Sequence, residues 1–242
     1  MTAALPFAFP LSAASIREKR AAILAQLLAR DEGFSRVPVK SLRSTTLTQM
    51  LSLYDSAFFS GFLGRSFGRM DVTCSARLTS AAGKFVYTRN PSTRMEKAEI
   101  RMSSDFLFRL NEGPFTLNGL CVLTAQEAFL VVFEHELCHA LETALYGSTG
   151  HSKRFLALAN GLFGHTDIHH SLPTRKQEAA KSGIIVGSHV KFQYQSETLT
   201  GIVTYVGKTA TVMVKDSRGN YRDKAGNRYA KYSVPLSVLS IK

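Results

Sequence analysis

The 242-residue chain is predicted to fold as an α+β domain followed by a small all-β domain. Three observations carry that expectation. Segments with apolar residues at helical spacing surround three short strand-like runs between residues 71 and 102, two of them alternating. A polar, charged stretch at 171–182, with Pro173, then interrupts the pattern. The last sixty residues change character, with short runs of Val, Thr, Phe and Tyr separated by glycine-containing turns. The expected divisions are a helical extension at 1–43, a main domain at 44–170, a linker at 171–182 and a β domain at 183–242.

The elements follow in order. Ser15 to Arg30 reads as an amphipathic helix, with Ile16, Ile23, Leu24, Leu27 and Leu28 on its apolar stripe. Arg17, Lys19, Arg20 and Arg30 are expected to stay in water. Packing against the core is its expected role. Ser44 or Thr45 caps a second helix, expected to run to Phe62 with Leu47, Met50, Leu51, Tyr54 and Phe58 inward. Asp71 to Leu78, Lys84 to Thr88 and Ala98 to Met102 read as strands, with turns at Gly83 and Asn90-Pro91-Ser92. Together they suggest an antiparallel meander whose charged face carries Arg77, Glu99 and Arg101, all solvated. Thr124 and Glu127 form a capping-box pattern that opens a helix to Tyr146, stopped by Gly147. A further helix spans about Lys153 to Phe163, stopped by Gly164.

Composition narrows the function classes. The apolar fraction of 45% allows a sizeable core. Cys74, Cys121 and Cys138 are odd in number and far apart, with no Cys-x-x-Cys, so neither a disulfide framework nor a zinc ribbon is indicated. A reducing, cytoplasmic compartment is expected, nucleoid-associated or nuclear if the partner is DNA. The first fifteen residues carry no Lys or Arg and contain Pro6 and Pro10, a poor secretion signal, and no run suits a membrane span. The net charge of +12 points to a polyanionic partner, most simply nucleic acid.

The helix from Thr124 carries the chemistry. Apolar residues cover most of its circumference, yet it contains His135-Glu136-Leu137-Cys138-His139. Buried polar groups need a reason, because burying them unpaired is costly. Two histidines four residues apart share a helical face and can grip one zinc ion. Glu136 lies about 100° around the helix, within reach of a water on that metal. There it acts as a proton acceptor and later passes the proton to the leaving amine. Cys138, on the opposite flank, is expected in the core. A catalytic zinc needs a third protein ligand and an open position. His151, beyond the glycine-flanked turn at 147–150, is the first candidate, with His165, His169 and His170 competing. Glu142 and Leu145 stand where the extended His-Glu-x-x-His-x-x-Gly-x-x-His pattern requires Gly and His, which excludes that arrangement.

These residues resemble the SprT-like metallopeptidases over about Leu53 to Asp167. Leu53-Tyr54-Asp55-Ser56-Ala57-Phe58-Phe59 resembles the family's helix before the sheet. Ser75 to Lys84 resembles its first strand and turn, and Ala98 to Ser103 the strand leading to the active-site helix. His135 to Leu141 is similar to its zinc motif. Gly150-His151-Ser152-Lys153-Arg154-Phe155 is similar to the third-ligand segment, with Ser152 where glycine is usual. The resemblance implies a zincin-like core, a Zn2+ cofactor, His151 as third ligand and peptide hydrolysis. In the family's best understood members the substrates are proteins trapped on DNA.

The tail departs from that pattern, because a basic domain replaces the ribbons and binding tails of many relatives. Residues 183–242 carry nine basic and three acidic side chains, net +6. Five expected strands (Ser188–Tyr194, Thr200–Val206, Thr209–Lys215, Tyr229–Ser233 and Val234–Ile241) suggest an SH3-like barrel of the KOW or Tudor type. Lys191, Lys208, Lys215, Arg218, Arg222, Arg228 and Lys231, interleaved with tyrosines, are the candidate nucleic-acid contacts. The leading expectation is a zinc endopeptidase acting on proteins bound or crosslinked to single-stranded or damaged DNA. The alternative is a non-catalytic zinc-containing module that binds nucleic acid or protein. A hydrolase of small amides is a third reading, in which the basic surface has no use.

Overall fold

The computed structural model describes residues 5–89, 96–110, 113–169, 172, 179–180 and 183–242. The chain divides into two compact units, Met1–Leu172 and Pro173–Lys242. The expected turn at Asn90-Pro91-Ser92, His170 and most of the expected linker lie outside the described residues.

In the first unit, α1 (Ala13–Arg30) starts at Ser12, whose side chain accepts the Ser15 N–H. Ile16, Ile23 and Leu27 are buried, so this helix packs into the core. Arg20 is not in water as expected, because it ion-pairs with a fully buried carboxylate on a later helix. Asp31 caps the short α2 (Glu32–Ser35), accepting the N–H groups of Gly33 and Phe34. The same carboxylate accepts the Thr46 hydroxyl at 2.6 Å and the Arg43 N–H at 3.1 Å. It thereby ties α2 to α3 (Ser44–Phe59).

The second expected helix breaks sooner than Phe62. Ser60 and Gly61 both adopt left-handed backbone, with φ of 52° and 77°, and α4 (Phe62–Phe67) follows. Asp55 holds the break, accepting the Leu63 and Gly64 N–H groups at 2.9 Å each.

Three strands come next: β1 (Met70–Ser75), β2 (Gly83–Arg89) and β3 (Glu96–Ser103). The expected antiparallel meander is wrong. The order is β1-β3-β2, with β1 parallel to β3 and β2 antiparallel to it. Ala98, Ile100 and Met102 of β3 are fully buried, so the most buried strand takes the centre. Residues 76–82 need span only the ~10 Å between alternate strands to carry the chain past it. This loop closes on the end of β3, where Ser103 donates its hydroxyl to the Leu78 carbonyl. Glu99 is also not solvated as expected. It is 8% exposed and accepts from Thr73 at 2.9 Å and Arg101 at 2.9 Å.

After α5 (Ser104–Leu107), β4 (Phe115–Leu117) and β5 (Leu120–Val122) form a hairpin around Asn118-Gly119, both at positive φ. Three-residue strands are too short for alternation to announce them, although Asn-Gly between apolar residues is a strong hairpin signal. The long helix α6 (Ala125–Tyr146) has the complete Thr124/Glu127 capping box and ends at Gly147 in left-handed conformation. It packs against β2 and β3 on one side and α7 (Lys153–Phe163) on another. Tyr54, Phe58, Phe59, Phe133 and Phe163 stack and tilt together between α3, α6 and α7. Such pairs contribute roughly 0.5–1.5 kcal/mol each beyond their burial.

The second unit is a six-stranded antiparallel sheet in the order β11-β6-β7-β8-β10-β9. Its strands are β6 (His189–Tyr194), β7 (Glu197–Val206), β8 (Ala210–Lys215), β9 (Tyr221–Arg222), β10 (Arg228–Val234) and β11 (Ser240–Ile241). The expected strand from Val234 to Ile241 does not form. Val234 closes β10, and a 3-10 turn at Leu236–Val238 precedes the two-residue β11. Val190, Phe192, Val203, Ala210, Val212, Val214 and Val234 build a core separate from that of the first unit.

Candidate metal centre

One residue per turn of α6 sets the centre. His135 and His139 stand half-buried on one stripe of it, with ring centroids 5.0 Å apart. The turn after Gly147 doubles the chain back and brings His151 to 5.0 Å from His135 and 4.9 Å from His139. One ligand atom of each lies within 4.8 Å of the others, and no fourth ligand joins them among the described residues. His135 Nε2 and His151 Nε2 are 3.0 Å apart. Two nitrogens at zinc-ligand distances of about 2.0–2.1 Å in tetrahedral geometry stand about 3.3 Å apart, so the set fits such an ion. Phe155, the first apolar residue of α7, forms the floor, its ring centroid 4.5–5.0 Å from all three imidazoles.

Neighbouring groups orient the three imidazoles. Thr149 Oγ1 lies 2.7 Å from His139 Nδ1, which leaves Nε2 to face the centre. Burial, then the proximity of His151, pushes His139 down to about 4, so its imidazole is neutral at ordinary pH. Neutral imidazole is the form that ligates a metal. Glu142, one turn beyond His139, is 1% exposed. It accepts the Gly150 N–H and the Ser152 hydroxyl at 2.9 Å each, and so pins both sides of His151. The residue that breaks the longer zinc pattern thus holds the third imidazole instead.

Glu136 lines the same cleft, a space of about 340 Å³ bounded also by Ala82, Gly83, Lys84, Val132 and Ile168. Its side chain lies against β2, the edge strand, and accepts a hydrogen bond from the Phe85 backbone N–H. Burial raises its pKa to about 8, which that bond only partly offsets.

The competing histidines fall elsewhere. His169 is exposed, and His165 is 2% exposed. His165 Nε2 is 3.0 Å from Glu134 Oε2, and its Nδ1 faces the Asn118 amide at 3.4 Å. With that amide donating, Nε2 carries the proton towards Glu134. Cys138 is fully buried, and burial pushes its thiol well up.

Residues 47–172 match the SprT-like family. The chain belongs to the SprT-like family. Comparison with curated proteins returns no match. The SprT-like segment starts after α1 and stops at Leu172, so both Arg20 and the whole second unit lie outside it.

Glu134, unnoticed in the sequence, is the hub of the SprT-like unit. It is fully buried beside His135 and accepts from Arg20 on both oxygens at 2.7 Å and from the Tyr54 hydroxyl at 2.8 Å. Burial opposes its charge, but Arg20 and His165 outweigh it and hold the carboxyl below its ordinary value. Arg20 also donates to the Phe163 carbonyl. Elements α1, α3, α6 and the segment after α7 therefore converge one residue before His135.

The candidate nucleic-acid contacts Lys191, Lys208, Lys215, Arg218, Arg222, Arg228 and Lys231 are all exposed on the second unit. Arg222 and Arg228 face each other across β9 and β10, while Lys215 lies opposite Tyr229 across β8 and β10. No helix among the described residues is long and apolar enough to cross a membrane.

Proposed function

We propose that the chain is a zinc-dependent endopeptidase in which His135, His139 and His151 hold the ion and Glu136 is the general base. The observation that carries this is the position of Glu136: a carboxylate in the same open cleft as three converging imidazoles. A structural site closes with four protein ligands, and here three converge on a cleft that a substrate can enter.

When bound, zinc supplies Lewis acidity that polarises a carbonyl and acidifies a water. Glu136 accepts the proton at its carboxylate. Once protonated there, it can return the proton to the leaving nitrogen. The Phe85 N–H holds one face of the carboxylate, so the proton-bearing oxygen keeps its direction. The outer edge of β2 runs beside this carboxylate and pairs with no strand among the described residues. An extended substrate segment can add to that edge, which favours unfolded or locally opened protein over compact folds.

We read the second unit as an SH3-like barrel that targets this chemistry to protein bound or crosslinked to DNA. The net charge of +12 and the resemblance to SprT-like metallopeptidases support that reading. The test is cleavage of an unfolded basic protein with and without single-stranded DNA. Glu136→Gln is expected to retain zinc and lose cleavage by about 10²–10⁴-fold. Undiminished turnover in that variant would refute the mechanism.

A further inference from the structure

The second unit carries a surface that the family match does not reach. Cross-strand register decides which side chains share it. Val203, Val212, Val214 and Val234 face the core. Their alternates, Ile202 opposite Met213, Met213 opposite Lys231, Lys215 opposite Tyr229, and Tyr229 opposite Tyr221, all point to the other face. Ile202, Met213, Tyr221 and Tyr229 line a shallow groove of about 200 Å³ with Arg222 and Asp223 at its end. Tyr221 is 47% exposed beside this apolar floor. Lys231 Nζ stands 5.8 Å from its ring centroid.

The charges around this groove are unbalanced. Its acid, Asp223, is consumed by its own loop. It accepts the Ala225 and Asn227 N–H groups, the Asn227 amide and the Tyr229 hydroxyl. Lys215 and Lys231 form no ion pair among the described residues, and Lys191 lies on the same face opposite Thr200. An apolar, aromatic slot between unmatched cations suits a ligand with flat apolar surfaces and a regular anionic backbone.

We propose that this face binds a single-stranded polynucleotide, one base stacking on Tyr221 over Met213, with phosphates against Lys215 and Lys231. Duplex is disfavoured because its base faces are already stacked. The inference rests on the reading of the chain as nucleic-acid-associated, but not on its peptidase chemistry. It narrows the seven basic candidates to two, and it adds Met213 and Tyr221.

Fluorescence anisotropy of the full chain with labelled oligo-dT of 15 nucleotides tests this without any cleavage step. Tyr221→Ala is expected to weaken binding roughly five- to a hundredfold, as loss of a stacked base does. Tyr221→Phe should retain affinity, and Tyr194→Ala, outside the groove, should be neutral. Lys215→Gln and Lys231→Gln should each flatten the slope of log K against log salt by about 0.7. Oligo-U of the same length shows whether RNA serves as well as DNA, and Tyr221-dependent binding of either supports the proposal. Unaltered binding by Tyr221→Ala, no binding of either oligomer at low salt, or equal competition by duplex or by polyglutamate overturns it. The last result would assign the face to acidic protein. A Glu136→Gln chain that no longer cleaves yet still binds through Tyr221 separates failure of one reading from failure of the other.

Discussion

Gly83 stands where a methyl group would enter the carboxylate of Glu136. A Cβ at this position would lie 2.7 Å from Glu136 Oε1 and 2.8 Å from its Cγ. Strand β2 can press this close to α6 only because residue 83 has no side chain. Gly83→Ala should therefore displace the carboxylate while leaving the imidazoles in place. Activity is expected to fall about 10–100-fold, in line with a small misplacement of a catalytic group. Zinc affinity and melting temperature should be nearly unchanged, since a long flexible side chain yields cheaply. Titration with a chromophoric chelator beside a cleavage assay separates the two effects.

Glu142→Ala should act on the metal and not on the base. Its two acceptor bonds fix the Gly150 N–H and the Ser152 hydroxyl around His151. Losing such support typically costs about 10–100-fold in metal affinity. Chelator competition measures this, and added zinc should restore most of the activity. An affinity equal to the parent's would show that the turn holds His151 unaided.

Arg20→Ala should be among the most destabilising changes in α1. It leaves Glu134 charged, with 0% side-chain exposure and no cation bonded to both its oxygens. Removing one partner of a buried pair costs roughly 3–5 kcal/mol. Urea unfolding of the full chain reads that loss. A cost below about 1 kcal/mol would place the pair in the class of exposed ion pairs.

Acid should loosen the link between α2 and α3. Burial raises the Asp31 pKa, but the Thr46 hydroxyl and the Arg43 and Phe34 N–H groups hold it below its ordinary 3.8. A carboxyl depressed in the folded state contributes its full stability above the unfolded pKa. That contribution is lost as pH falls below 3.8 through the folded value. Asp31→Asn should cost about 1–3 kcal/mol at pH 7 and flatten the decline in this acid range. Parallel stability curves for parent and variant between pH 2 and 7 would contradict this.

The site was legible in the sequence where it is local. His135, Glu136 and His139 lie within five residues on one helix, and a glycine-bounded turn leaves His151 few places to go. The supporting groups were not legible, because their partners are distant in the chain. Arg20 and Glu134 are separated by 114 residues, and Tyr54 and Glu134 by 80. Nothing in the pattern of α1 distinguishes Arg20 from Arg17 until the helix is docked. Likewise, alternation in residues 71–102 tells which side chains share a face, but not which strands are neighbours. The parallel pairing of β1 with β3 is a property of the crossing loop. In the second unit, the extra two-residue β9 and the break after Val234 are too short to leave a periodic trace.

The reach of Arg20 also bears on where the chain can be cut. A fragment trimmed to the SprT-like segment at residue 47 keeps Glu134, Tyr54 and His165 but discards the guanidinium that matches them. Such a fragment inherits an interior anion with one counter-charge missing, next to His135. Protonating that anion or opening the helix to water would relieve it, and either disturbs the neighbouring imidazole. The smallest self-sufficient unit around the three imidazoles therefore begins upstream of the segment that matches the family, at the helix that supplies Arg20.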